Sequence, residues 1–390
     1  MQNDSRLGRI VRRTSCGIDY DVDICCANDI FLPEEILEDI QARGYDLAVE
    51  DMAAYLRLRQ GAYSPVLLSW DMTSRCNFRC QFCYIRNNNP LSQEVKIEQA
   101  KPAIDALVSE GLFLAYLSGG ECLLLEDFIE IYSYLKTKGV LVTVFTNGAL
   151  INDSILDTWR RLPPSSIEIT VYDDDFASPV FSNILKLIQQ GHHVVTKFTL
   201  TTTTKQFLAN VRTWSSSHGI DLLVDAEIFD GEDSDRKGLD EKFGLPYDEK
   251  VLLNGAFLDE GDFEKPSKRG ALPCGVKTGA VHIAPDFTMS LCQSLRTRWD
   301  LNTVETEMAL DEIRSFISTY ENAQIAGCHG CIFSSKCTMC VAHAETIDSR
   351  LVVPNGFCND LETKWSPVLE KLAQQTMSIE KREEAINGII

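Results

Sequence analysis

Three cysteines fall within eight residues, Cys76-Asn-Phe-Arg-Cys80-Gln-Phe82-Cys83, spaced CxxxCxxC. Three closely spaced thiolates can hold three corners of a four-iron, four-sulfur cube and leave the fourth iron open to a substrate or cofactor. A zinc ion is the alternative. Zinc sites usually want a fourth protein ligand and thiols in CxxC pairs, and the nearest histidines are His192 and His193. A second set comprises Cys274, Cys292, Cys328, Cys331, Cys337, Cys340 and Cys358. Its centre, Cys328 to Cys340, reads CxxCxxxxxCxxC, and seventeen residues separate both Cys274 from Cys292 and Cys340 from Cys358. Four-thiolate zinc would account for four of these seven, whereas two iron–sulfur clusters would need eight ligands. Cys16, Cys25, Cys26 and Cys122 read as small, semi-buried thiols.

Composition narrows the setting. The chain has 390 residues, 44% of them hydrophobic, with 14 cysteines and a formal charge of −20. That charge repels phosphate backbones and anionic lipid, so neither nucleic acid nor a membrane is an expected partner. No apolar run approaches a bilayer's span, and the first residues lack a basic-then-apolar signal pattern. The expected compartment is a reducing cytoplasm, where clustered thiols more often bind metal than each other.

The elements that must position these thiols follow from hydrophobic patterning. Short apolar or β-branched runs at Val66–Met72, Phe113–Leu117, Leu141–Phe145, Ile167–Tyr172, Val194–Leu200 and Leu222–Ile228 predict buried parallel strands. Amphipathic stretches between them, Glu94–Glu110, Leu125–Lys138, Asp153–Arg161, Phe181–Gln190 and Gln206–His218, predict helices. The fold class expected is therefore α/β, a partial six-fold (β/α) barrel over 65–230, with chemistry in the loops after the strands' carboxyl ends. The first cysteine set follows the first strand. Residues 1–64 predict a small α+β segment, with a hairpin around Cys16-Gly17 and a helix over Pro33–Arg43. Residues 231–270 read as an acidic linker, 271–365 as an irregular cysteine-bearing domain and 366–390 as a closing helix.

Taken with its setting, Cys76-Asn-Phe-Arg-Cys80-Gln-Phe82-Cys83 resembles the CxxxCx(aromatic)C signature of the radical S-adenosylmethionine (SAM) enzymes, whose fold is a partial barrel of six repeats. The resemblance implies a [4Fe–4S] cluster on Cys76, Cys80 and Cys83 whose open iron chelates SAM. Reductive cleavage then yields a 5′-deoxyadenosyl radical that abstracts hydrogen from the substrate. Phe82 matches the position that stacks near the adenine. Gly119-Gly120-Glu121, after the second strand, resembles the segment that binds the amino group of SAM, with Cys122 where proline is usual. Asn147, in Thr146-Asn147-Gly148, matches a position beside the cofactor. Thr170 and Lys197 occupy places where the family contacts the ribose or carboxylate.

The late cysteines resemble the SPASM domain, the auxiliary-cluster extension of radical SAM peptide and protein maturases. Ala284-Pro285-Asp286-Phe287 to Cys292 resembles its lead-in, with Phe287 where glycine is common. By that resemblance two auxiliary [4Fe–4S] clusters are implied. Cys328, Cys331, Cys337 and Cys358 would bind the outer one, and Cys274, Cys292 and Cys340 the inner one, which then has an open iron or an eighth ligand from elsewhere. The implied function is oxidative modification, such as a thioether or other cross-link, of a ribosomally synthesised precursor peptide, with flavodoxin or ferredoxin as electron donor and residues 1–64 as a leader-peptide-binding or barrel-covering region. Formylglycine formation, peptide epimerisation and redox-cofactor biosynthesis are the alternatives. Gln293 stands where the formylglycine-forming type carries an aspartate base. His192, His193, His282 and Tyr172 are possible acid–base groups, and no pair among them is singled out by the sequence.

Overall fold

The computed structural model describes residues 63–83, 85, 94–112, 114–226, 228, 238–245, 279–320, 323, 325–326, 328, 341–342, 344–347 and 350–352. The expected features of residues 1–62, most of 231–278 and 353–390 lie outside these. Internal contacts divide the chain into two units, Met1–Gly244 with Cys274–Ile317, and Leu245–Pro273 with Ser318–Ile390.

In the first unit, strands and helices alternate as the patterning predicts: β1 (Leu67–Asp71), α1 (Ile97–Ser109), β2 (Leu114–Ser118), α2 (Phe128–Thr137), β3 (Leu141–Thr146), α3 (Asp153–Arg161), β4 (Ser166–Val171), α4 (Pro179–Gln189), β5 (Val194–Thr199), α5 (Leu208–His218) and β6 (Asp221–Asp225). The six strands pair in parallel in chain order. Expected ends shift by up to three residues for local reasons. Glu94 lies outside α1 because its carboxylate is bound to Thr73 and Arg75. A 3-10 turn over Cys122–Leu124 delays the start of α2. Asn152 caps α3 by accepting from Ile155 N, and Pro179 opens α4 with its preset φ.

Strand alternation and register sort the sheet into two unlike faces. One carries Leu68, Trp70, Leu117, Val144, Ile167, Ile169 and Phe198, all fully buried. It faces the helices: Ile169 meets Val180 of α4 around Gly148. The helices contribute Ile104, Leu107, Ile131, Leu135, Trp159, Ile184 and Leu187, equally buried. The opposite face carries Ser69, Asp71, Ser118, Phe145, Glu168, Thr170, Lys197 and Asp225. A polar inner face is what a barrel needs if its interior receives a ligand rather than filling itself with side chains.

The described residues between 279 and 352 are less irregular than expected. β7 (Ala280–Ile283) adds in parallel to the free side of β1, and β8 (Thr288–Ser290) and β9 (Trp299–Asp300) follow antiparallel. A fifteen-residue helix, α7 (Thr306–Tyr320), follows, burying Ala309, Leu310, Ile313 and Ile317. Its three- and four-residue apolar spacing is in the sequence. β7 is four residues long with His282 inside it, too short and too polar to stand out. Before α7 comes α6 (Leu239–Phe243). The second unit holds a small sheet in which β10 (Ile325–Ala326) pairs in parallel with β12 (Arg350–Val352), itself antiparallel to β11 (Glu345–Ile347). Ile325 and Leu351 form its core, with Cys328 packed against them.

The turn between β7 and β8 explains the lead-in motif. Phe287 has φ 61°, left-handed backbone that glycine adopts freely and an L-residue only at a cost of about 1–2 kcal/mol. Here the ring offsets the strain: it is 4% exposed and lies 6.2 Å from the ring of Trp70. Phe287→Gly should relieve the strain but lose the ring, and Phe287→Ala should lose the ring and keep the strain. In urea unfolding, the expected order of stability is native, then Gly, then Ala, with the alanine variant down by about 3–5 kcal/mol. An alanine variant as stable as the glycine one would contradict it.

Candidate functional site

The cysteine loop leaves β1 and is gripped at its start. Met72 N donates to Ser118 O (3.0 Å), Gly120 N to Thr73 O (2.7 Å) and Glu121 N to Arg75 O (2.8 Å), so the β1–β2 pairing runs past both strand ends into the loop. Glycine is required there. A Cβ on Gly119 (φ 122°) would stand 2.6 Å from the Thr73 carbonyl oxygen, and one on Gly120 2.3 Å from that of Arg75. The expected SAM-contacting glycines are thus also where two backbones pass too closely for any side chain. Thr73 and Arg75 complete the grip. The Thr73 hydroxyl donates to Glu94 and accepts from Arg75 N, while the Arg75 guanidinium reaches the Glu94 carboxylate and the Leu124 carbonyl.

Glu121 is the hub behind this loop. It is 1% exposed, and its carboxylate accepts from Thr146 Oγ1 (2.7 Å), Asn147 N (2.7 Å) and Leu123 N (3.2 Å). Burial raises its pKa, and these three donors oppose the rise. The sequence resemblance assigns Glu121 to the cofactor; here its side chain ties the end of β2 to the end of β3. Cys122, also fully buried, donates its S–H to Phe145 O (3.3 Å), a bond proline could not make. From the end of β3, Asn147 Nδ2 donates to Asn77 Oδ1 (2.7 Å) and stands 3.9 Å from Cys76 Sγ.

Cys76, Cys80 and Cys83 are partly buried and not in disulfides. Burial pushes the Cys76 thiol up, with the Glu121 charge adding to it, and pushes Cys80 up to about 11. Cys83 and Cys76 both repel charge on Cys80, so the three sulfurs share one electrostatic environment. A bound cationic centre reverses that logic and favours thiolates. Among the described residues, no three His, Cys, Asp or Glu side chains are gathered as a site for a metal ion. What the loop offers is three soft donors along eight residues, a donor set that fits a cluster spreading its ligands over several irons.

Aromatic rings wall the loop. Phe82 lies 5.8 Å from Tyr172 and 6.4 Å from Phe243, and it packs against the cluster of Ile228, Leu239 and Phe243. Phe78 meets Tyr172 edge-on at 6.1 Å. On the polar inner face, Thr170 and Lys197 are register partners on β4 and β5. Lys197 Nζ already pairs with Asp225 Oδ2 at 2.9 Å, which the sequence did not signal. An incoming carboxylate would have to share this ammonium.

The histidines separate by position. His192 and His193 precede β5, at the end of the parallel sheet opposite the cysteine loop, and His193 Nδ1 is bonded to Ser166 Oγ (3.0 Å). His282 is buried beside β1, its Nδ1 3.4 Å from Ser69 Oγ and its Nε2 3.9 Å from Asp71 Oδ2. Burial lowers its pKa against the pull of Asp71, so the imidazole is neutral at neutral pH. Asp71 in turn accepts from Ser118 Oγ (3.0 Å). Sequence reasoning passed over Asp71, although a carboxylate ending an apolar strand is a visible signal. Of the late cysteines, Cys292 follows β8 and Cys328 lies in the second unit; Cys274, Cys331, Cys337, Cys340 and Cys358 are outside the described residues.

The close approach at Gly120 generates a test. Gly120→Ala should leave the far-ultraviolet circular dichroism of the barrel intact but displace the Thr73–Arg75 backbone, cutting iron uptake on anaerobic reconstitution by more than half. Unchanged iron content would contradict the assigned role of that contact.

Known proteins share part of this sequence and its fold. The model of the Radical SAM superfamily matches residues 70–212, from β1 into α5. Fe-coproporphyrin III synthase of Methanosarcina barkeri is 37% identical over 108 residues, 27% of this chain and 27% of that protein. The sporulation killing factor maturation protein SkfB of Bacillus subtilis is 28% identical over 110 residues, 28% of this chain and 27% of that protein. The aligned part thus spans little more than a quarter of either relative's length. The crystal structure of Streptococcus suis SuiB bound to S-adenosylmethionine shares the fold over 92% of this chain and 87% of that one, with a TM-score of 0.56 at 12% identity. The same protein bound to precursor peptide SuiA gives a TM-score of 0.54 at 15% identity, covering 92% and 88%. By its barrel and its cysteine loop, the stretch over residues 70–212 is similar to the Radical SAM superfamily.

Proposed function

We propose that this protein is a radical SAM peptide maturase that oxidatively modifies a ribosomally synthesised precursor peptide. The observation that carries the first half is the loop of Cys76, Cys80 and Cys83, locked to the barrel mouth by the Gly119–Glu121 backbone. When bound there, a [4Fe–4S] cluster and SAM supply a carbon-centred hydrogen abstractor on receipt of one electron. The protein's own residues then have distinct tasks. Cys76, Cys80 and Cys83 would hold three irons. Phe82 and Asn147 would flank the adenosyl side, and Gly119, Gly120 and Glu121 the amino-group side. Thr170 and Lys197 would serve the ribose and carboxylate, with Lys197, shared with Asp225, able to neutralise the methionyl carboxylate. The polar inner face admits the substrate, and the apolar outer face holds the barrel shut against the helices.

The peptide half rests on the late cysteines. A cross-link removes two hydrogens from the peptide, one as an atom and the other as a proton and an electron. That second electron needs an acceptor, and auxiliary clusters on Cys328, Cys331, Cys337, Cys358 and on Cys274, Cys292, Cys340 would provide one. The likeness to SkfB, a maturation protein, and to SuiB, crystallised with a precursor peptide, supports the same reading. We assign residues 65–230 to the radical SAM core, 231–270 to a linker, 271–365 to the auxiliary-cluster domain, 1–64 to leader recognition or barrel cover and 366–390 to a closing helix. The setting is a reducing cytoplasm with flavodoxin or ferredoxin as donor; among the described residues no helix is long and apolar enough to cross a membrane. A tetrapyrrole substrate is the second reading. The match to Fe-coproporphyrin III synthase favours it, but that match covers 27% of this chain and does not account for the seven late cysteines.

Two outcomes test the proposal. Anaerobically reconstituted protein with a strong reductant and SAM should release 5′-deoxyadenosine, and Cys80→Ala should lower the rate by at least about 10³-fold, whereas Cys331→Ala should lose about four irons and still cleave SAM. Cleavage persisting in the Cys80 variant would reject the loop as the cluster site. Co-expression with a short open reading frame encoded beside this gene should yield a peptide lighter by two hydrogen atoms. An unchanged mass from demonstrably active enzyme would reject cross-linking.

A further inference from the structure

Glu168 is the third residue of β4 and lies with Thr170 on the inner face of the barrel, its neighbours Ile167 and Ile169 being on the side that faces the helices. It is 4% exposed, and its Oε2 has no hydrogen-bond partner. Glu121, also buried, shows what such a carboxylate ordinarily receives: donors at 2.7, 2.7 and 3.2 Å. Lys197, on the same face of β5, is held by Asp225 at 2.9 Å. Burying a carboxylate short of donors costs stability, so the missing partner points to a group that the folded barrel receives from outside.

The surroundings define the chemistry of that group. An ionised carboxylate only accepts hydrogen bonds, so its partner is a donor, and a cationic donor compensates the charge as well. In register, Glu168 stands between Phe145 on β3 and Val195 on β5. Phe145 meets Tyr116, on the same face of β2, edge-on at 5.5 Å. An acid beside aromatic rings suits an organic cation, which gains from both. A metal ion would find too few ligands, because among the described residues no three His, Cys, Asp or Glu side chains gather. Depth separates the position from SAM. Glu168 precedes Thr170 by two residues on β4, and Phe145 precedes Asn147 by two, so the carboxylate's strand position is roughly 7 Å further from the mouth than the residues assigned to the ribose and the adenosyl side. What reaches it is the other occupant of the barrel.

We infer that Glu168 is a subsite for a cationic side chain, lysine or arginine, of the peptide that enters the barrel, and so decides which part of that peptide is held beneath the cofactor. The formal charge of −20 on the whole chain favours the approach of such a segment. The inference rests on the reading of the barrel as that of a peptide maturase and adds the charge of the residue it selects.

Glu168→Gln is the direct test, because it keeps the size of the side chain and removes its charge. Binding of N-acetyl-lysine amide and N-acetyl-arginine amide to the full-length reconstituted protein would be measured by saturation-transfer nuclear magnetic resonance, with neutral N-acetyl-norleucine amide as the control. The native protein should bind at least one cationic probe about tenfold more tightly than the neutral one, and Glu168→Gln should bind all three alike. As a second measurement, the variant should unfold in urea at a midpoint no lower than that of the native protein, since it loses a buried charge short of partners. No preference in the native protein, or a preference that survives the substitution, overturns the inference. So does a variant that unfolds more readily, which would make the carboxylate structural, or one that binds SAM more weakly, which would make it a cofactor contact. Native protein that cleaves no SAM overturns the maturase reading instead, and the probes read the subsite independently of it.

Discussion

The candidate site depends on one close contact between two backbones. The β1–β2 ladder does not stop where the strands stop: it continues through Thr73 and Arg75 on one side and Gly120 and Glu121 on the other. Cysteine loops are floppy by composition, and ordering one costs conformational entropy of roughly 1–2 kcal/mol per residue. Here the first residues of the loop are held as if they were still strand, and the thiols begin one residue later. The side chain of Glu121 extends the same constraint to the end of β3, and Asn147 passes it on to Asn77 beside Cys76. Three strand ends are thereby bound to one loop.

The two faces of the sheet divide the labour. Fully buried Trp70, Ile169, Phe198 and their neighbours join the strands to the helices, and this packing supplies the stability. The inner face spends that stability on burying Asp71, Glu168 and His282, groups that give no net stabilisation by being there. Such an arrangement is expected of a barrel whose interior serves chemistry. Phe287 shows the same tension on a small scale, a strained φ tolerated because its ring fills a place against Trp70.

The barrel was legible in the sequence because its buried parallel strands stand out as short, mostly apolar or β-branched runs. Leu141–Thr146 and Asp153–Arg161 match their patterns closely, since each is bounded by a clear stop or cap. β7 was not legible: four residues interrupted by His282 signal a strand only once β1 is seen to have a free side. α7 had a proper apolar stripe, but the cysteines on both sides of it suggested an irregular domain. At the site, the cysteines and glycines were readable from spacing alone. The pairing of Lys197 with Asp225 and the packing of Tyr172 against Phe78 and Phe82 were not, because each joins residues brought together by neighbouring strands or loops and not by spacing.

The central claim is that Cys76, Cys80 and Cys83 hold an iron–sulfur cube with one iron free for SAM. The most direct measurement is electron–nuclear double resonance of the reduced protein with SAM labelled with ¹⁵N at the amino group and ¹⁷O at the carboxylate. The account predicts hyperfine coupling of both labels to the cluster, abolished in a triple alanine variant of the three cysteines. A cluster spectrum indifferent to labelled SAM, or couplings that survive the triple substitution, would contradict it.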